Sequence, residues 1–148
     1  MKIKEVRYIV VHCSGNSVTS KLRAADIRRF HISQRGFSDI GYHFVIPTDG
    51  TIELGRRLNV AGAHVKGFNQ YSIGICYVGG LDAHGRPADT RNEDQRKALR
   101  KIVREMHSQF PNALIVGHRD FPNVAKSCPC FNVREEFADY NKDAKFTL

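Results

Sequence analysis

Apolar residues along this chain alternate between two periods, and the changes of period divide it into short strands and helices. Val6 to Val11 (VRYIVV) is a mostly apolar, β-branched run that predicts a buried strand ending at His12. In KLRAADIRRFHISQRG, Leu22, Ala25, Ile27 and Phe30 fall on roughly one helical face, with Ser20 as the expected cap and Gly36 as the stop. GYHFVIPTDGTIELGR then alternates Tyr42, Phe44 and Ile46 with His43 and Val45; Asp49-Gly50 predicts a hairpin turn, and Ile52 and Leu54 the return strand. SIGICYVGG, from Ser72, predicts another buried strand closed by paired glycines. Thr90 and Glu93 have the spacing of a capping box, and Ala98, Leu99, Ile102, Val103 and Met106 share one face of the helix expected to follow, up to about Pro111. Ala113 to Val116 predicts a strand that delivers Gly117 and His118, and a last short helix is expected from about Asn132 to Tyr140. The order β-α-β-β-β-α-β-α predicts an α/β fold, a mixed central β-sheet flanked by helices. With no repeat, linker or low-complexity tract, residues 1–148 are expected to form one domain.

Composition narrows the classes. At 41% hydrophobic and 26% charged residues, the chain has the balance of a globular protein, and no stretch approaches the roughly 20 apolar residues of a membrane span. MKIKEVRYIVVHC begins with a lysine, but Tyr8 to Val11 is too short for the apolar region of a signal peptide. Synthesis in the cytoplasm without such a peptide is therefore expected. The net charge of +8 favours a polyanionic partner, yet the basic pairs are dispersed and no RNA-binding signature or helix-turn-helix accompanies them, so no specific nucleic acid is expected. Cys13, Cys76, Cys128 and Cys130 in a chain of this kind point to burial or metal binding rather than to disulfides.

The candidate chemistry gathers at strand ends. His12 and His118 each follow an apolar strand; if those strands are neighbours, both imidazoles face one crevice. Cys128, ten residues after His118, is within reach of a folded-back loop. Two imidazoles and one thiolate leave a fourth tetrahedral position open, which is the pattern of a catalytic rather than a structural zinc site. Read singly, each residue also fits a hydrogen-bonded histidine or a small buried thiol. Hydrolysis at such a metal needs an oxyanion donor and a route for protons. The Lys126 ammonium and the Tyr42 phenol could supply them, although alone they read as a solvated loop charge and a sheet-packing aromatic.

Four segments in this order, IVVHCS, GYHFVIPTDGTIELGR, AGAHVKGFNQYSIGICYVGG and GHRDFPNVAKSCPCF, resemble zinc-dependent N-acetylmuramoyl-L-alanine amidases. These belong to the amidase-2 and peptidoglycan-recognition-protein superfamily, and the likeness is greatest to the phage-lysozyme amidases of T-odd coliphages. It covers roughly residues 6 to 138. The resemblance implies one Zn2+ per chain held by His12, His118 and Cys128, with Tyr42 and Lys126 as catalytic residues. It also implies that His64 and its neighbours line the groove for the substrate peptide. The implied reaction is hydrolysis of the amide between the lactyl group of N-acetylmuramic acid and L-alanine, in peptidoglycan or a muropeptide. Where some relatives carry a glutamate on the strand matching SIGICYVGG, this chain has Cys76, Tyr77 and Val78, which favours the tyrosine and lysine version of the mechanism. Cys130 is an extra thiol, expected to be turned away by Pro129; Cys13 is expected to pack inside, and Asp120 to orient the loop backbone. The expected enzyme is an endolysin-like monomer reaching the wall by holin-type release or other export. Two further readings stand beside it: a non-catalytic peptidoglycan receptor, and a regulatory protein that binds RNA polymerase as one phage relative does.

Overall fold

The computed structural model describes residues 1–148 as two helical layers on a central sheet. The strands are β1 (Tyr8–Cys13), β2 (Asn16–Ser17), β3 (Phe44–Ile46), β4 (Glu53–Leu54), β5 (Ser72–Tyr77), β6 (Gly80–Leu81) and β7 (Leu114–Gly117). The helices are α1 (Ala24–Arg35), α2 (Glu93–Gln109), α3 (Val133–Glu136) and α4 (Ala138–Asn141). The main sheet runs β4-β3-β5-β1-β7; β3, β5, β1 and β7 are parallel, and β4 joins the edge antiparallel through the hairpin. Gly50 turns that hairpin at φ 78°, where an L side chain is strained. β2 and β6 form a small parallel pair not foreseen from the sequence.

Parallel strands lie between helices, so both faces are buried and the apolar runs barely alternate. On one face Ile9, Val11, Phe44, Ile46, Ile73, Ile75 and Tyr77 meet Leu99, Ile102, Val103 and Met106 of α2. Leu99 has no exposed surface, so truncating it to alanine costs about 2–5 kcal/mol. The other face is covered in two patches: Tyr8 and Val10 with Leu114, Val116 and Phe121, and Val45 with Ala24 and Ile27 of α1.

Several boundaries differ from the sequence expectation. β1 starts at Tyr8 and continues through His12, because its backbone pairs with β5 as far as Cys13. The buried face of α1 is Ala24, Ile27 and His31, and Phe30 is exposed. Its start is satisfied by carboxylates rather than by Ser20: Asp26 accepts from the Arg23 N–H at 2.9 Å and Glu53 from the Ala24 N–H at 2.8 Å. The box of α2 is Asn92 with Gln95, whose side chains each accept the other's backbone N–H. Thr90 is two residues too early and instead accepts from the Gly80 N–H at 2.8 Å. The C-terminal helix is two short helices joined at Phe137, which is buried in the core. The second places Asn141 against the free edge of β7, where its amide accepts from the Ile115 N–H and donates to the Ile115 carbonyl.

Candidate metal centre and catalytic cleft

β1 and β7 are neighbours in parallel register, Val11 opposite Gly117, so their carboxyl ends deliver His12 and His118 to one crevice. The two rings are 4.6 Å apart between centroids. The third side is closed by the loop after β7. Within it Asp120 accepts from the Gly117 N–H at 2.8 Å, and the Arg119 N–H donates to the Cys128 carbonyl at 2.8 Å. That fold-back brings Cys128 to β1, where its sulfur accepts the backbone N–H of Cys13 at 3.1 Å. One ligand atom each from His12, His118 and Cys128 lies within 4.8 Å of the others. The donor set is two neutral nitrogens and a sulfur, which suits a borderline-soft ion of the zinc type.

Burial keeps the imidazoles in the basic form that a metal requires. His12 is 2% exposed, and burial followed by the neighbouring His64 and His118 holds it well below its ordinary value of 6.5. His118 is lowered by burial and then by the Lys126 ammonium.

A cleft of about 250 Å³ opens over these atoms, with Tyr42, Lys126, His64, Arg35 and Phe37 in its walls. The Tyr42 ring lies 5.1 Å from that of His12, and burial, then the adjacent Cys76 thiol, pushes its phenol well above the ordinary range. At neutral pH it is an O–H donor. Lys126 is exposed on the outer lip, on the loop that carries Cys128. The cleft adjoins a second hollow of about 460 Å³ that shares Ser14, His31, Arg35 and Tyr42 and continues along α1. The widest hollow, about 670 Å³, runs along α2 between Lys97, Arg104 and Tyr140, and holds no such ligand set.

The structure thus brings together all six residues singled out in the sequence, but it places His64 differently. Rather than only facing the groove, its Nδ1 lies 2.8 Å from His12 Nε2. Cys130 turns to the Gly80 carbonyl at 3.6 Å and is outside the converging set, and Cys13 packs against the α2 side of the core. His31 was missed: it lines the cleft, its Nδ1 accepts the Gly41 N–H at 2.9 Å and its ring lies 5.6 Å from that of Tyr42. The signal was a histidine on the buried stripe of α1, four residues after Ile27.

A family model described as N-acetylmuramoyl-L-alanine amidase matches residues 2–131. The chain is 40% identical over 133 residues to the endolysin of Klebsiella phage KP32, covering 90% of this chain and 86% of that protein. It is 35% identical over 126 residues to the endolysin of Escherichia phage T7, covering 85% and 82%. Among solved structures, the N-acetylmuramoyl-L-alanine amidase LysC from Clostridium intestinale superposes with a TM-score of 0.74 at 28% identity, covering 95% of this chain and 86% of that one.

Proposed function

Because the chain belongs to the N-acetylmuramoyl-L-alanine amidase family, we infer that its cleft hydrolyses the amide between the lactyl group of N-acetylmuramic acid and L-alanine in peptidoglycan. The observation that carries the reading is the meeting of His12, His118 and Cys128 ligand atoms within 4.8 Å, on the floor of a cleft walled by Tyr42 and Lys126.

We assign His12, His118 and Cys128 as the holders of one zinc ion per chain. Zinc bound there supplies Lewis-acid polarisation of the amide carbonyl and activation of water. The chain's own groups do the rest. Lys126 Nζ offers a positive charge, and Tyr42 Oη a hydrogen bond, to the oxygen of the reacting carbonyl as negative charge develops on it. Cys76 next to Tyr42 leaves no carboxylate on β5, so proton traffic falls to groups at the cleft mouth, with Tyr42 Oη and Lys126 Nζ the donors at hand. The hollow along α1 gives the bulky substrate an open approach, with Arg35 and Phe37 beside the reaction centre. We read residues 1–148 as one amidase domain, acting as a monomer on the cell wall after holin-type release or other export.

Mass spectrometry of purified sacculi and soluble muropeptides after digestion, with and without a chelator, tests this. The expected products are free stem peptides beginning at L-alanine and glycan with intact lactyl groups, formed only in the unchelated sample. Cleavage of a glycosidic or peptide–peptide bond instead would overturn it.

A further inference from the structure

We propose that His64 is a positioning residue for the metal: it fixes the proton of His12 on Nε2 and so presents His12 Nδ1 as the ligand atom. This rests on the reading of the cleft as a metal amidase centre. A run of four hydrogen bonding groups leads from His12 into the fold, and only one placement of protons satisfies all of it. At its far end the Phe68 carbonyl can only accept. Ser72 Oγ lies 2.9 Å from it, so the hydroxyl donates there. Having spent its proton, Ser72 Oγ accepts from His64 Nε2, 3.2 Å away. A neutral imidazole protonated on Nε2 has a lone pair on Nδ1. That lone pair faces His12 Nε2 at 2.8 Å, so the proton between them belongs to His12. His12 Nδ1 is then bare. The direction of the entire run is set by one main-chain carbonyl, which cannot titrate or flip.

The backbone around His64 is shaped for this ring. A Cβ on Gly74 would lie 2.8 Å from His64 Cγ and Nδ1, and one on Gly62 would lie 2.8 Å from His64 Cδ2. Two glycines therefore clear the space in which the imidazole stands. The Asn69 side chain accepts the backbone N–H groups of His64 and Val65 at 3.0 and 2.9 Å, which holds the segment that carries the ring. Metal-binding histidines depend on such a partner for orientation and basicity, and losing one weakens metal binding by about 10–100-fold.

The test compares His64→Leu, which removes the acceptor, with His64→Asn, whose side-chain oxygen can take the place of Nδ1. Zinc affinity is measured without substrate, by competition with a chromophoric chelator. His64→Leu is expected to bind zinc about 10–100-fold more weakly, and His64→Asn to recover most of that loss. In the unaltered zinc-loaded protein, long-range nitrogen NMR is expected to show His12 protonated on Nε2 and His64 on Nε2. Wild-type affinity in His64→Leu, no rescue by His64→Asn, or a proton on His12 Nδ1 would each overturn the proposal. Failure of the unaltered protein to bind zinc would instead overturn the reading of the cleft, a result separable because the NMR protonation pattern of the metal-free protein is still measurable.

Discussion

The Cys128 sulfur accepts a hydrogen bond from the main-chain N–H of Cys13 at 3.1 Å, joining a residue of the C-terminal loop to the strand that carries His12. The two are separated by 115 positions in sequence. One proposed ligand thus sits against the backbone beside another, and the loop is registered to the sheet through the atom that would bind the metal. The site is therefore built by the central strand pairing, with the loop closing on it.

Tyr42 can be separated experimentally from the residues proposed to hold the metal. Tyr42→Phe keeps the ring that lies against His12 and His31 and removes only the hydroxyl. Turnover of a soluble muropeptide is expected to fall by about 10²-fold, the scale for losing one oxyanion donor, with zinc content unchanged. Undiminished turnover in Tyr42→Phe would remove the phenol from the mechanism.

Acid should destabilise the metal-free protein in a defined window. Burial, the leading cause in each case, lowers His12, His64, His31, His43 and His118 below the ordinary 6.5. As pH falls through about 6.5 the unfolded chain takes up protons that the folded one does not, so stability drops towards acid and recovers above it. The carboxylates Asp49, held to about 2 by the Thr51 N–H and Arg23, and Asp89 are lowered as well, so their contribution is also lost towards acid, but only below the ordinary carboxylate range. Urea midpoints of chelated protein at pH 5.5 and 7.5 check this, with the lower midpoint expected at 5.5. Equal midpoints would show that the buried histidines do not resist protonation.

Arg91 braces the C-terminal segment. Its side chain is 1% exposed, donates to both oxygens of Glu136 at 2.8 Å and to Asp89, and lies over the Phe131 ring at 3.4 Å. Arg91→Ala leaves Glu136 without its partner and Asp89 with Arg96 alone, and is expected to cost about 3 kcal/mol, read as a lowered denaturation midpoint. A change under about 0.5 kcal/mol would show the network to be dispensable.

The sheet and its two main helices were legible in the sequence because β-branched runs and a 3.6-residue stripe are local signals. So was the meeting of His12, His118 and Cys128, through strand-end placement and the order of four segments. What the sequence concealed depends on partners distant in the chain. Glu53 caps α1 from the hairpin, and no local pattern announces this. Thr90 and Glu93 carry the right letters for a box, but the helix begins two residues later than they require, at the end where Asn92 reaches Gln95. His64 was expected at the substrate groove; its bond to His12 depends on the approach of the AGAH segment over Gly74 of β5, which spacing does not disclose.

The proposed division of labour is that His12, His118 and Cys128 hold the metal while Lys126 acts on the substrate without holding it. The most direct measurement takes zinc content and muropeptide cleavage from the same samples of unaltered protein, Cys128→Ala and Lys126→Ala. The expected result is one zinc and full cleavage, then neither, then one zinc with cleavage reduced by about 10²-fold or more. Zinc retained and cleavage undiminished in Cys128→Ala would contradict it.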